Sequence, residues 1–177
     1  WSSDVCSSDL GIRGLSLFSR LHVSQISHGA FASFGSVAAP SFSIPPELEN
    51  HTIVHRGDVR WGDMDCFRHL NNCVFVQFLE SSRAAYMEEI VRVLRQTHPD
   101  KVTPFMSGTG IGVILSHLNC TYIRPVLYPD SLLTSLKVTL VGKDRLAISH
   151  TMYSTAQSAV VAVGAGEFVS YDYAGSS

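Results

Sequence analysis

Residues 72–96 decide the fold, and they read Asn-Cys-Val-Phe-Val-Gln-Phe-Leu-Glu-Ser-Ser-Arg-Ala-Ala-Tyr-Met-Glu-Glu-Ile-Val-Arg-Val-Leu-Arg-Gln. Apolar or small residues recur at steps of three and four, namely Phe75, Leu79, Ser82, Tyr86, Ile90 and Val93. That spacing places one apolar stripe along a helix of several turns. On another side of the helix, Glu88 and Arg92 are spaced for a favourable i,i+4 ion pair. Pro99 ends the helix, because proline disfavours helical geometry in the residue before it.

Five candidate strands flank this helix in the chain. The first precedes it, where Ile53, Val59 and Trp61 alternate with polar residues in a half-buried pattern. The others follow it, and they cover residues 111–124, 131–141, 145–155 and 159–171. The strand over residues 111–124 alternates imperfectly, which predicts a bulge, and the next strand has an apolar face made by Leu132, Leu136, Val138 and Leu140. The order β-α-β-β-β-β predicts an α+β fold in which a five-stranded antiparallel sheet wraps one long central helix.

The composition describes one globular domain. The 177 residues carry 13 Lys and Arg against 15 Asp and Glu, and 45% of them are hydrophobic. A net charge of −2 argues against nucleic-acid binding, which needs a basic surface, and no apolar run is long enough for a membrane span. The four cysteines are scattered and lack CxxC spacing, which favours a reduced, intracellular protein.

The N-terminal part differs from the rest of the chain. Residues 1–10 repeat Ser-Ser-Asp and are interpreted as a sequencing scar or a fragment edge. Residues 11–48 form a Ser-rich segment that is expected to be disordered. Up to residue 46 the segment contains arginine but no acidic residue, as is typical of a mitochondrial transit peptide; the alternative is a plain linker in a cytoplasmic protein. The folded domain is expected over residues 49–173, followed by a tail at 174–177.

Reactive side chains are densest immediately before the helix. Residues 61–72 read Trp-Gly-Asp-Met-Asp-Cys-Phe-Arg-His-Leu-Asn-Asn, and they bring two carboxylates, a thiol, an imidazole and two amides to the point where the helix begins. The unpaired N–H groups of a helix N-terminus stabilise negative charge, including a developing oxyanion. A carboxylate beside them could attack a carbonyl or deprotonate water. The segment therefore predicts acyl-transfer chemistry.

This segment resembles the hotdog-fold thioesterases, in particular the 4-hydroxybenzoyl-CoA thioesterase-like acyl-CoA hydrolases. Their pattern is matched by Trp61, Asp63, Asp65, His69 and Asn71, and by Glu80 and Arg83 on the helix. Two further segments, residues 122–130 and 168–172, are similar to the family's turn between the second and third strands and to its last strand. The resemblance spans residues 50–172 and implies the hydrolysis of acyl-CoA to a free acid and CoA.

The resemblance also implies roles for individual residues. Asp65 would be the nucleophile or general base, His69 and Asn71 would orient the thioester or water, and N–H groups at the start of the helix would form the oxyanion hole. Arg68, Asn72, Glu80 and Arg124 are the candidate substrate-binding residues. Many family members have glycine where this chain has Arg68, which leaves the preferred acyl group open. No cofactor or metal is expected, and the subunits are expected to form a homodimer or homotetramer.

Other interpretations remain open at this point. Asp65 could cap the helix, Asn71 and Asn72 could be caps without substrate contact, and Glu80 and Arg83 could be a surface ion pair. Cys66 could be a thiol nucleophile, or could bind zinc together with His69 and Cys73. A non-catalytic acyl-CoA-binding module and an acyl-carrier-protein thioesterase are the alternative functions. Phe67 disfavours the carrier-protein alternative, because the plant enzymes have an asparagine there.

Overall fold

A computed structural model describes residues 43–175 of the chain. The predictions for residues 1–10 and for most of the Ser-rich segment lie outside the described residues. None of the helices within residues 43–175 is long and apolar enough to cross a membrane.

The long helix α1 spans Asn72–Thr97, one residue longer than predicted. Asn71 caps its start, because the Asn71 side-chain oxygen accepts a hydrogen bond of 3.0 Å from the Cys73 N–H. His98 ends it, and Pro99 opens the short 3-10 turn Pro99–Lys101 that follows. A second, short helix α2, Val102–Ser107, lies before the next strand.

The five predicted strands form one antiparallel sheet. They are β1 (Ile53–Asp58), β2 (Ile111–Tyr122), β3 (Ser131–Val141), β4 (Arg145–Ser154) and β5 (Ala159–Asp172). Their order in the sheet is β1-β3-β4-β5-β2, so β1 and β2 are the two edge strands. The predicted bulge in β2 lies between Leu115 and His117. The predicted α+β fold class is confirmed.

Helix α1 packs across one face of the sheet and buries its apolar stripe there. Two glycines allow the close approach. A Cβ atom at Gly57 would lie 2.6 Å from the Phe78 ring of α1, and one at Gly164 would lie 2.8 Å from the Asn119 carbonyl oxygen. Any larger residue at either place would push the helix or a neighbouring strand away.

Three details of the predicted packing are wrong. Trp61 is not the inward end of the first strand, because β1 ends at Asp58 and Trp61 lies exposed in a 3-10 turn. Leu140 is exposed, because the pairing of β3 with β4 shifts by one residue between Val138 and Leu140 and changes the face that the side chain occupies.

The third error concerns the ion pairs of α1. Arg92 donates to Glu89, one turn away at i,i+3, and the predicted partner Glu88 is not the residue it contacts. Glu80 is exposed while Arg83 is buried, and no hydrogen bond or ion pair joins them in the described structure. Burial lowers the pKa of Arg83 and the charge of Glu80 opposes this shift, so the two side chains interact without a close ion pair.

A polar network lies between α1 and the sheet. His150 of β4 is fully buried, and its Nδ1 atom lies 3.0 Å from the Ser135 carbonyl oxygen and 3.1 Å from the Ser82 Oγ atom. Because a carbonyl oxygen only accepts hydrogen bonds, Nδ1 carries the proton. The other ring nitrogen, Nε2, is buried and has no partner within the described residues. The pKa of His150 is lowered to about 4, chiefly by burial; the hydrogen bond to Ser135 opposes this shift, and the nearby charges of Arg83 and His51 add to it.

We expect this histidine to make the fold sensitive to acid. The pKa of His150 is lower in the folded chain than the value of about 6.5 expected in the unfolded chain. Above pH 6.5 the ring is neutral in both states and the folded state keeps its full stability. As the pH falls from 6.5 toward 4, the unfolded chain binds a proton that the folded chain does not, and the free energy of unfolding decreases. Over that interval His150 should account for a loss of about 3 kcal/mol in the free energy of unfolding. Urea titrations at several pH values and one protein concentration, compared between the natural chain and His150→Asn, measure this difference.

Replacing the exposed His117 by asparagine is the matched control, and this variant should keep the acid dependence of the natural chain. An equally steep loss of stability in His150→Asn would contradict the assignment.

Candidate active site

The segment before α1 folds into a small hairpin. The Asn71 N–H donates to the Asp63 carbonyl oxygen at 2.9 Å, and the Asp65 N–H donates to the His69 carbonyl oxygen at 2.8 Å. Between these two bonds, Met64 and Leu70 form an antiparallel bridge. The tip of the hairpin is therefore residues 66–68, and its second arm leads directly into the helix.

The two carboxylates of this hairpin have different surroundings. Asp63 is buried, and its Oδ2 atom accepts a 2.8 Å hydrogen bond from the Arg60 N–H. The Arg60 guanidinium also lies 3.1 Å from Asp63 Oδ1, so this carboxylate is paired on both oxygens. Asp63 therefore stabilises the hairpin and is not free for chemistry.

Asp65 has one oxygen held and one oxygen open. Its Oδ1 atom accepts hydrogen bonds from the Phe67 N–H at 2.8 Å and from the His69 N–H at 3.1 Å. Within residues 43–175, Oδ2 accepts no hydrogen bond, and the residue is half-buried. The hypothesis that Asp65 caps the helix is wrong, since Asn71 is the N-cap and Asp65 caps its own hairpin. The carboxylate is oriented by main-chain donors while one oxygen stays available.

Among residues 43–175, a single main-chain donor in the first turn of α1 lacks an acceptor. The next three N–H groups donate hydrogen bonds to Asn71. The N–H of Cys73 donates to the side-chain oxygen, and those of Val74 and Phe75 donate to the carbonyl oxygen. In the described part of the chain, the N–H of Asn72 has no acceptor. The expected set of oxyanion donors at the helix start is thus reduced to a single N–H group.

Tyr122, at the end of β2, is a neighbour of this site that the sequence did not single out. Its hydroxyl donates to the Asn72 carbonyl oxygen at 3.2 Å, and its ring packs edge-on against Phe75 with centroids 5.1 Å apart. Burial and the nearby thiols of Cys120 and Cys73 raise the pKa of Tyr122. The aromatic residue before Ile-Arg-Pro was part of the family pattern, but only the tertiary structure places it against the helix start.

The remaining predicted site residues lie at different places. Arg68 and His69 are exposed on the hairpin, Asn72 is exposed at the first position of α1, and Arg124 is exposed just beyond β2. Glu80 lies two turns into the helix on its exposed side, away from the hairpin in the chain. Cys66 and Cys73 are free thiols exposed to solvent. No group of three metal-ligating side chains occurs among the residues that the structure describes.

Two backbone bonds join the hairpin to the loop between β2 and β3. The Val59 N–H donates to the Asp130 carbonyl oxygen at 2.9 Å, and the Leu70 N–H donates to the Val126 carbonyl oxygen at 2.8 Å. Asp130 in turn accepts hydrogen bonds from Ser154 and from the Ala156 N–H, which fixes this loop to the end of β4. The candidate site is thus attached to the sheet along both of its flanks.

Comparison with known proteins identifies the family of this fold and site. The sequence model of the thioesterase-like superfamily matches residues 59–177, which begin just before the hairpin and include α1 and strands β2 to β5. The chain belongs to the thioesterase-like superfamily. None of the curated proteins matches it. The resemblance inferred from the hairpin and the helix is confirmed, and membership in this superfamily makes the protein a thioester hydrolase.

Solved structures of other thioesterases share the fold of this superfamily member. The PA2801 protein of Pseudomonas aeruginosa, a thioesterase by assignment, is 25% identical with a TM-score of 0.55, over 68% of this chain and 82% of its own. A Thermus thermophilus thioesterase complexed with coenzyme A and zinc is 24% identical with a TM-score of 0.54, over 69% and 81%. The DHNA-CoA thioesterase of Staphylococcus aureus is 16% identical with a TM-score of 0.54, over 68% and 74%.

The backbone of Arg68 adopts a conformation that favours glycine. Arg68 has a φ of 62°, in the left-handed region that only glycine adopts without steric cost. For other residues that conformation costs about 1–2 kcal/mol. The arginine at the hairpin tip is therefore held in a strained backbone conformation.

We expect Arg68→Gly to stabilise the protein. Glycine relieves the strain of the left-handed conformation, which raises the free energy of unfolding. Glycine also increases the entropy of the unfolded chain, which lowers it. The net gain should be about 0.5–1 kcal/mol. Urea denaturation of Arg68→Gly and of the control Arg68→Ala, which keeps the strain, measures it. A glycine variant no more stable than the alanine variant would show that the hairpin tip is not strained.

Proposed function

We propose that this protein hydrolyses acyl-CoA thioesters to a free carboxylic acid and CoA, with Asp65 as the catalytic carboxylate. The observation that carries the proposal is the asymmetry of Asp65, whose Oδ1 atom is held by two main-chain N–H groups while Oδ2 is open. Coenzyme A is the ligand of the Thermus thermophilus neighbour, and the Staphylococcus aureus neighbour is named for a CoA thioester. These names support CoA as the leaving group.

Asp65 could act in two ways, and both use the open oxygen. As a general base, Oδ2 takes a proton from water while the water oxygen attacks the thioester carbonyl carbon. As a nucleophile, Oδ2 itself attacks, and water then hydrolyses the resulting anhydride. In both cases the carbon–sulfur bond breaks and the CoA thiolate leaves.

The free N–H of Asn72 is the proposed oxyanion donor. It lies at the first position of α1, where the helix dipole favours negative charge. The Tyr122 hydroxyl and the Asn71 cap hold this turn from both sides, so the donor is oriented before substrate binds. We assign Asn71 to positioning the first turn and His69, on the arm opposite Asp65, to orienting the thioester or the water.

Charged residues around the hairpin suit the CoA moiety. Arg68 and Arg124 are both exposed and have no acidic partner among the described residues, so both can contact phosphate groups. Glu80, also predicted to bind substrate, lies farther along α1 and would contact only a substrate that extends beyond the first helical turn.

A second copy of the chain completes this proposal. The outer edge of β2, 12 residues long, is unpaired in the described structure. Long exposed edges favour pairing with another strand, and β2 ends at Tyr122 beside the helix start. We infer a homodimer, or a tetramer built from it, with the site next to the subunit boundary. A mitochondrial location, expected from residues 11–48, belongs to the same proposal.

Replacing Asp65 by asparagine tests the catalytic carboxylate. Asparagine keeps an oxygen that can accept from the Phe67 and His69 N–H groups, so the hairpin should fold while the charge is lost. We expect kcat for a panel of acyl-CoA thioesters to fall by about 10²–10⁴. Release of free thiol measures the rate, and a thermal melt of each variant checks the fold.

The matched control is Asp58→Asn, which removes an exposed carboxylate at the end of β1 and should leave the rate unchanged. A folded Asp65→Asn variant with the rate of the natural chain would refute the proposed mechanism.

A proline at position 72 tests the oxyanion donor. Asn72→Pro removes the N–H group in question together with the amide side chain, and proline is favoured at the first position of a helix. The extended conformation of Asn71, with a ψ of 137°, is compatible with a following proline. We expect kcat to fall by about 10²–10³ without loss of the helix. Asn72→Ala, which keeps the N–H, should retain most of the activity; equal losses in both variants would assign the effect to the side chain.

A further inference from the structure

Arg83 of helix α1 is a buried cation that lacks a counter-ion. Only 9% of the residue is exposed, and its Nη1 atom is buried without a hydrogen-bond partner. Neither a hydrogen bond nor an ion pair of its guanidinium group occurs within residues 43–175. Glu80, one turn earlier in the helix, acts on Arg83 only at longer range. Because a buried guanidinium without an anion is costly, Arg83 indicates an anionic partner from outside the described part of the chain.

Arg83 lies on the same face of α1 as the proposed oxyanion donor, the N–H of Asn72. From Asn72 to Arg83 the helix makes roughly three turns, so the directions of the two residues around the helix axis differ by only about 20°. Along the axis they are about 16 Å apart. The apolar residues Val76 and Leu79 lie between them, within about 40° of the same line. An apolar surface that begins at the reacting centre therefore ends at a cation.

This face of α1 is directed toward β5 and the edge strand β2. A Cβ atom at Gly164 of β5 would lie 3.2 Å from the Leu79 Cδ1 atom. The Tyr122 hydroxyl at the end of β2 donates to the Asn72 carbonyl oxygen at the start of the same face. The homodimer inferred above pairs along β2. An acyl group bound on this face would thus lie beside the subunit boundary, shielded from water.

We propose that this face of α1 binds the acyl group and that Arg83 recognises a carboxylate at its far end. The substrates would be CoA thioesters of α,ω-dicarboxylic acids, an inference that rests on the proposed function. A guanidinium group binds a carboxylate through two parallel hydrogen bonds. Helical side chains point toward the N-terminus, so the Arg83 guanidinium lies closer to the thioester than its Cα does. Allowing for that side chain and the hydrogen bond, roughly five to ten bonds of extended chain span the gap.

Two other anions fit Arg83 less well. The phosphates of CoA are large and hydrated, and they would have to enter the space where Arg83 is buried, whereas Arg68 and Arg124 are exposed beside the hairpin. An acidic residue of a second copy could also pair with Arg83. In that case Arg83 would affect dimerisation and not the choice of substrate.

Matched substrates test the proposal on the natural chain. Octanedioyl-CoA, its ω-methyl ester and octanoyl-CoA share the same acyl chain length and the same reacting carbonyl, but only the first has a free second carboxylate. We expect kcat/KM for octanedioyl-CoA to exceed that for the methyl ester by about ten- to hundredfold, because the ester cannot form the charge-assisted hydrogen bonds to Arg83. Release of free thiol measures each rate.

Variants of Arg83 test the residue itself. Arg83→Met removes the charge and keeps an unbranched side chain, so kcat/KM for octanedioyl-CoA should fall about ten- to hundredfold while that for octanoyl-CoA changes less than about threefold. Arg83→Lys should restore part of the preference, because its ammonium group contacts a carboxylate as a point charge. The matched control is Arg95→Met, which removes an exposed arginine in the last turn of α1 and should leave both rates unchanged. Thermal melts and light scattering check the fold and the oligomeric state.

Equal kcat/KM for octanedioyl-CoA and its methyl ester in the natural chain would overturn the inference, whether or not Arg83→Met folds. Equal losses for all three thioesters in Arg83→Met would assign the residue to CoA binding. A monomeric Arg83→Met with unchanged substrate preference would assign it to the dimer. Hydrolysis without preference for the free carboxylate refutes this inference alone, whereas hydrolysis of none of the thioesters refutes the proposed function, so the two failures give different results.

Discussion

The sheet covers one face of α1 and excludes water from it. The buried side chains of that face are Phe75, Leu79, Tyr86 and Ile90. Val102 and Phe105 of the short helix α2 also pack against this stripe, and its burial supplies much of the hydrophobic stabilisation. Gly57 and Gly164 let the backbones come close enough for that contact. Once α1 is fixed on the sheet, its first turn has a fixed position relative to the ends of β1 and β2.

The hairpin of residues 63–71 contains the candidate site, and the packing of α1 on the sheet fixes its position. Its first arm continues from the end of β1 and its second arm leads into α1, so both ends are held by the sheet and the helix. The two carboxylates of the hairpin differ in how they are held. Asp63 is buried and paired with Arg60, whereas Asp65 is held by one oxygen and keeps the other open. A reactive carboxylate needs both a fixed orientation and an unpaired oxygen, and only Asp65 has them.

The interior of the domain contains polar groups that the apolar stripe does not explain. His150, Arg83 and Thr134 each bury a nitrogen or oxygen atom without a partner among the described residues. Such groups cost stability unless they stay neutral or are hydrated. Burial lowers the pKa of His150, so its ring stays neutral at physiological pH. From β4 it contacts Ser82 of α1 and Ser135 of β3.

The sequence by itself determined the elements of this fold. The three- and four-residue steps of α1 and the alternation of its strands are local patterns, and burial imposes them on the chain directly. The order of elements and the position of Asp65 before the helix could likewise be read from the residues. Where the prediction was wrong, the cause was a contact or a register that local spacing does not contain, as at Trp61, Leu140 and Arg92.

Only the tertiary structure decided how the groups of the site are paired. Two carboxylates and several N–H groups precede the helix in the sequence, and only the family resemblance distinguished Asp65 from Asp63. The folded chain pairs Asp63 with Arg60, and among the described residues it leaves the N–H of Asn72 without an acceptor. It also placed Tyr122 against the helix start, 50 residues away in the chain. Hydrogen-bond partners depend on distances between segments remote in sequence, and those distances exist only after the helix and the sheet have packed.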